Sequence, residues 1–205
     1  MVKDLKIIAI IVIIALPSVS FGNTIKISDI ENYLNSITSI KSDFIQISES
    51  GHVETGRFFL KKPSRMRFEY NPPARHIVMA SGPLLVIIDK KSMSEPQRYL
   101  TAMTPLSRLT QETISLKDSN MVSTTFSRND NFHIIIQNSN EKMADQLELV
   151  FNVNPIYLSE WTLTNFSNEK IRVLLENFKT NVEIDDQVFD IGNEIASNRK
   201  KLKNK

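Results

Sequence analysis

From Arg65 to Tyr70 charged and large apolar residues alternate without a break, with Met66, Phe68 and Tyr70 on one side and Arg65, Arg67 and Glu69 on the other. This is the period of a strand with one wet face and one dry face. Similar runs recur along the chain, and they predict strands over 42–49, 53–61, 66–70, 76–80, 84–89, 97–101, 122–127, 132–137, 147–152, 158–165 and 170–178. Turn residues separate them: Ser50-Gly51, Lys62-Pro63, Asn71-Pro72-Pro73, Ser81-Gly82-Pro83 and Arg128-Asn129-Asp130-Asn131. Two stretches break the strand period. Ile27, Ile30, Leu34 and Ile37 fall at helical spacing behind a Ser28-x-x-Glu31 capping box, predicting a helix over 29–39. Thr104-Pro105 introduces Leu106-Ser107-Arg108-Leu109, one or two helical turns.

About eleven short strands with so little helix imply a mainly β fold with some α, a single antiparallel sheet curling into a barrel or half barrel. Only barrels of roughly eight strands are narrow enough for their own side chains to fill. An apolar cavity covered by the helical segments is therefore an expectation from geometry, although periodicity does not show whether side chains fill that space. In Leu158-Ser159-Glu160-Trp161-Thr162-Leu163 the alternation turns Trp161 and Leu163 to that interior.

The ends read differently. Lys3 and Lys6 precede the apolar run 7–16, then Pro17 and small residues to Gly22, the order of a cleaved export signal over 1–22. That run is about half of what a helix needs to cross a bilayer. Residues 23–192 form the expected domain. The segment 193–205, rich in Lys and Arg, is expected as a disordered basic tail, with contact to an acidic membrane surface or partner as its sharper reading. A net charge of +2 is otherwise unremarkable.

Candidate chemistry is sparse. The chain has no cysteine and five glycines, which removes thiol nucleophiles, thiolate metal sites and phosphate-cradling loops. His52, His76 and His133 are isolated, and no Gly-x-Ser-x-Gly run occurs. Adjacent aspartates at 185 and 186 point to opposite faces of a strand, so they read as a turn rather than a paired acid and base. No enzyme activity, cofactor, metal or nucleic acid is expected. An exported hydrolase would lack every recognisable nucleophile.

The stretch from Gly56 through Lys61-Lys62-Pro63 and Arg67-Phe68-Glu69-Tyr70 to Leu85-Val86-Ile87-Ile88-Asp89 resembles the LolA family of periplasmic outer-membrane lipoprotein carriers. Further matches are Ser39-Ile40-Lys41-Ser42-Asp43-Phe44-Ile45-Gln46, Thr104-Pro105-Leu106, Leu158-Ser159-Glu160-Trp161 and Val188-Phe189-Asp190-Ile191. Ser81-Gly82 stands where the family usually has Asp-Gly. The resemblance implies an incomplete barrel with a helical lid over a cavity for acyl chains. It implies a monomer in the periplasm of a Gram-negative bacterium, acylated lipoproteins as cargo, an inner-membrane lipoprotein-releasing ABC transporter as donor, and an acceptor at the outer membrane. The expected cavity residues are Phe44, Phe58, Leu60, Met66, Phe68, Tyr70, Met79 and Trp161, with Leu106 and Leu109 on the lid. The family's arginine before the proline, which reaches toward the lid, corresponds to Lys62, and strand parity sets Lys62 beside Phe58 and Leu60. Lysine lacks the planar fork of donors that arginine offers. The alternative is a periplasmic regulatory or sensing domain that binds lipid or lipidated protein without transporting it.

Overall fold

The computed structural model describes residues 25–116, 121–129, 131–138, 145–165 and 167–204; the expected signal, 1–22, lies outside them. Helix α1 (Ile27–Ser36) leads into β1 (Ser39–Ser48), β2 (Val53–Lys61), β3 (Arg65–Tyr70), β4 (His76–Ser81), β5 (Leu84–Asp89) and β6 (Gln97–Leu100). Short 3-10 helices Thr101–Met103 and Pro105–Thr110 follow, then β7 (Met121–Arg128), β8 (Asn131–Asn138), β9 (Gln146–Val153), β10 (Ile156–Thr164) and β11 (Lys170–Thr180). A 3-10 helix, Asp186–Phe189, precedes α2 (Ile191–Lys203). The helix begins earlier than the Ser28 capping box suggests. Asp29 Oδ2 accepts from the Lys26 backbone N–H at 2.8 Å, closing the first turn.

All eleven strands form one sheet in the order β6-β5-β4-β3-β2-β1-β11-β10-β9-β8-β7. The meander β1–β6 and the meander β7–β11 join where β1 pairs antiparallel with β11, Phe44 opposite Leu175. Strands β6 and β7 remain edges, so the sheet is a half-open barrel. Its upper rim carries the β1–β2, β3–β4, β5–β6 and β10–β11 turns. Its lower rim carries the β2–β3, β4–β5 and β9–β10 turns and the entry of α1 into β1.

The concave face is one apolar cluster that includes Phe44, Phe58, Met66, Phe68, Leu149 and Trp161, covered by Ile30 and Leu34 of α1, by Ile37 just after it, and by Leu106 and Leu109. The outer face has its own cover. Ile77, Met79, Val86 and Ile88 pack against Ile191 and Ile195 of α2. This corrects two expectations.

Met79 does not face the cavity. Antiparallel pairing sets Met66 opposite Ala80 and Phe68 opposite Val78, leaving Met79 opposite Arg67 on the outer side. Nor is 193–205 a disordered tail, since α2 runs to Lys203. Asp190 Oδ1 caps the helix by accepting from Asn193 N–H at 2.9 Å, which satisfies an otherwise orphaned donor of the first turn. The buried Arg67 guanidinium ties α2 down by donating to Glu194 Oε2 at 2.9 Å, and Asn198 Nδ2 donates to the Asp89 carbonyl at 3.0 Å.

Candidate functional site, an apolar concave face under a lid

Of the expected cavity residues, Phe44, Phe58, Leu60, Met66, Phe68, Tyr70 and Trp161 share the concave cluster with the lid residues Leu106 and Leu109. Strand parity brings them together. Cross-strand partners share a face, and Phe58 pairs with Phe68 while Leu60 pairs with Met66. The rings form a continuous aromatic floor. Phe58 and Phe68 centroids lie 4.6 Å apart, and Trp161 stands edge-on to Phe58 at 5.4 Å. Phe44 stands edge-on to Phe68 at 5.3 Å and to Tyr70 at 5.0 Å. Such edge contacts add about 0.5–1.5 kcal/mol each beyond the area they bury.

Two polar groups punctuate this floor. Tyr70 Oη donates to Gln46 Oε1 at 2.7 Å, and burial, with the nearby Glu54 carboxylate adding to it, pushes the Tyr70 phenol above its ordinary value. It stays neutral at physiological pH. The Trp161 indole N–H is buried and, among the described residues, has no hydrogen-bond partner, which is an uncommon state for a buried donor.

The lid is held by a small set of polar contacts. Lys62 Nζ donates to the Leu34 carbonyl, in the last turn of α1, at 2.8 Å. The cation therefore meets the negative end of the helix dipole. Asn35 clamps the chain that follows the Pro105–Thr110 lid segment, with Nδ2 donating to the Ile114 carbonyl at 2.9 Å and Oδ1 accepting from Ile114 N–H at 2.8 Å. Glu31 Oε2 accepts from Leu116 N–H at 2.8 Å. On the far side the Tyr33 hydroxyl accepts from Leu158 N–H at 3.2 Å. Of these contacts the family resemblance pointed to Lys62 alone. The Asn35 clamp joins residues 79 positions apart, and no local pattern announces it.

Burial pushes the Lys62 ammonium below its ordinary pKa. The closed form binds this proton less tightly than the open one, so its stability is greatest above the ordinary lysine value and falls as pH drops through the lowered one. At neutral pH the charged ammonium is thus held at some desolvation cost, offset by the Leu34 carbonyl. Lys62→Ala removes a charge-assisted bond of the class contributing about 1.5–3 kcal/mol, reduced by that relief. Amides of α1 are expected to exchange with solvent about tenfold faster in this variant, with those of β1 and β11 unchanged. Lys62→Arg should restore protection. Unaltered α1 exchange in Lys62→Ala would show that the contact does not hold the lid.

The floor does not end at the lid. At the upper rim it continues into an open pocket of about 720 Å³ lined by Ser48, Thr104, Pro105, Asp145, Leu163 and Ile171, among others. Ile171 pairs with Leu163 on one side and Ser48 on the other, so the three share the concave face. Leu163 lies two positions along β10 from Trp161 and packs against the buried cluster. The buried floor and the open pocket are therefore one surface. None of the expected cavity residues reaches the pocket itself. Its lining comes from the ends of several elements, where alternation gives no signal beyond the shared face of Trp161 and Leu163.

Comparison with known proteins gives four findings. A family model described as outer membrane lipoprotein carrier protein LolA matches residues 35–192. An uncharacterised protein of Rickettsia prowazekii (strain Madrid E) is 23% identical over 133 residues, covering 65% of this chain and 61% of that protein. The chain thus matches less than two thirds of that relative's length. Among solved structures, a LolA superfamily protein from Nitrosomonas europaea matches 81% of this chain and 98% of its own at 9% identity and a TM-score of 0.43. A DUF1329 family protein from Desulfovibrio piger matches 81% of this chain and 95% of its own at 8% identity and a TM-score of 0.48.

Proposed function

This chain belongs to the LolA family of outer membrane lipoprotein carrier proteins, and on that premise we propose that it is a non-enzymatic periplasmic carrier that shelters lipoprotein acyl chains between the inner and outer membranes. The observation that carries the reading is the apolar concave floor, closed by a lid on few polar contacts and continuous with an open pocket at the upper rim. Transfer of acyl chains through water is opposed by about 0.8 kcal/mol per exposed methylene. A soluble carrier must replace that loss with apolar surface and still release its load.

In the closed form the floor is filled by its own side chains, so capture requires the lid to swing and the acyl chains to take its place against Phe58, Phe68 and Trp161. The competition keeps affinity moderate. Every lid contact surrendered is subtracted from the cargo's gain. In this reading the donor is an inner-membrane ABC transporter that releases lipoproteins, and the recipient is an acceptor at the outer membrane.

The chain's single tryptophan is Trp161, at the middle of the floor, and so offers an internal probe. Residues 23–205, freed of bound lipid, are presented with a purified triacylated lipoprotein carrying brominated acyl chains. The expected result is a one-to-one complex by native mass spectrometry with strong quenching of Trp161 emission, followed by release to outer-membrane vesicles. No complex and no quenching would reject the acyl-binding site. A quenched complex that never passes its cargo on would replace carriage with lipid sensing.

A further inference from the structure

Helix α2 crosses the outer face of β4 and β5 from one rim to the other. Ile191 lies beside Ser81, Leu84 and Arg65 at the lower rim, whereas Asn198 bonds to the Asp89 carbonyl and Arg199 to Glu95 of the β5–β6 turn at the upper rim. Positions 191, 195, 198 and 202 form one stripe of the helix, and it is this stripe that turns toward the sheet. The outward positions near the C-terminus are Lys200, Lys201 and Lys203, all exposed. Beside them the β5–β6 turn contributes exposed Lys91 and Met93, the latter 49% exposed.

Charge on this lip is unbalanced. Glu95 is engaged by both Arg98 and Arg199, and Asp89 by Arg75 at 3.3 Å. Among the described residues, no carboxylate lies within ion-pair distance of Lys91, Lys200, Lys201 or Lys203. A helix is free to end in lysines for the sake of its dipole, but four unneutralised cations around an exposed methionine exceed that need. The lip also shares its rim with the open pocket, where Ile171 is 40% exposed and Val53, at the start of β2, is 55% exposed. The pocket mouth itself carries three carboxylates, Glu49, Asp145 and Glu169, against one cation, Lys170. The rim is therefore polarised.

We propose that the α2 C-terminus and the β5–β6 turn form a membrane-docking lip that binds the surface of an anionic phospholipid bilayer. Cations interleaved with an apolar side chain match an interface of phosphate headgroups over hydrocarbon. The net-acidic mouth is repelled by that surface, so docking seats the lip on the headgroups and tilts the mouth away from them. This lip goes beyond the carrier reading and stands without it, because binding to a bilayer needs no cargo.

The test is sedimentation of residues 23–205 with phosphatidylethanolamine vesicles that contain or lack phosphatidylglycerol. Binding is expected only with the anionic vesicles, and it is lost at high salt as the Debye length contracts. The triple variant Lys200→Gln, Lys201→Gln, Lys203→Gln, whose changes lie off the buried stripe, is expected to partition about a hundredfold more weakly. Circular dichroism and the Trp161 quenching assay should match the parent, which separates failure of the lip from failure of the acyl site. Equal association with both vesicle types, or an unchanged partition in the triple variant, would overturn the proposal.

Discussion

Met66→Glu is expected to lower stability at neutral pH by about 4 kcal/mol, because position 66 is a dry site rather than the wet margin of a cavity. Met66 is 2% exposed and sits in the concave cluster, between Leu60 across β2 and Ala80 across β4. None of these neighbours can pair with a carboxylate, and Lys62, the nearby cation, already donates to Leu34. The new glutamate must ionise unpaired or stay protonated with its pKa raised. A raised folded-state pKa means that the unfolded chain releases the proton first, so stability is retained below the ordinary glutamate value and lost as pH rises toward the raised one. At roughly 2–4 °C per kcal/mol for a domain of this size, the melting temperature at pH 8 should fall by about 8–16 °C, and at pH 5 by much less. Met66→Leu, which conserves volume, should melt near the parent, and Met66→Gln should lose stability without the pH dependence. Equal melting of the Met66→Glu variant at both pH values would show a hydrated position 66 and a cavity mouth at the lower rim.

The same geometry explains which features were legible in the chain. Alternation located all eleven strands because most of the sheet has one wet face and one dry face, and each such strand records its own parity. Strand β4 has no such contrast. Ile77, Val78, Met79 and Ala80 are apolar on both sides, so the run could not say which residues face inward, and Met79 went to the wrong face. Apolarity on both faces was itself a sign that something covers the outside. That cover is α2, whose charge disguised it. Ile191, Ile195 and Leu202 keep helical spacing behind Asp190, yet the lysines around them read as a solvated end. Lys62 was legible only through the family resemblance carried by Lys61-Lys62-Pro63. The Asn35 clamp and the upper-rim pocket were not, because both are made by segments distant in sequence that meet only once the sheet has curled.

Gly56→Ala is expected to destabilise the protein by about 3 kcal/mol, toward the upper end of the range for overpacked interiors, although it adds one methyl group and suits a strand better than glycine. Gly56 lies opposite Phe44 on one side and Tyr70 on the other. A Cβ at this position would stand 2.3 Å from the Glu69 carbonyl oxygen and 2.6 Å from Phe44 Cε1. The missing side chain is what lets the Phe44 ring lean across β2 and meet Tyr70 and Phe68. A β-carbon there would either push β3 away from β2 or turn Phe44 back toward the lid. The first strains the ladder that carries Phe68 and Tyr70, and the second disturbs the floor beneath Trp161. The melting temperature should drop by about 6–12 °C, with a shift in Trp161 emission. Adding Phe44→Ala separates the two contacts. Removing the ring relieves only the softer clash, since the Glu69 carbonyl belongs to the backbone, so the double variant should be less destabilised than the sum of the single changes by about 1 kcal/mol. Strict additivity would mean that Phe44 does not need the space above Gly56, and that the aromatic floor is set by its own ring contacts alone.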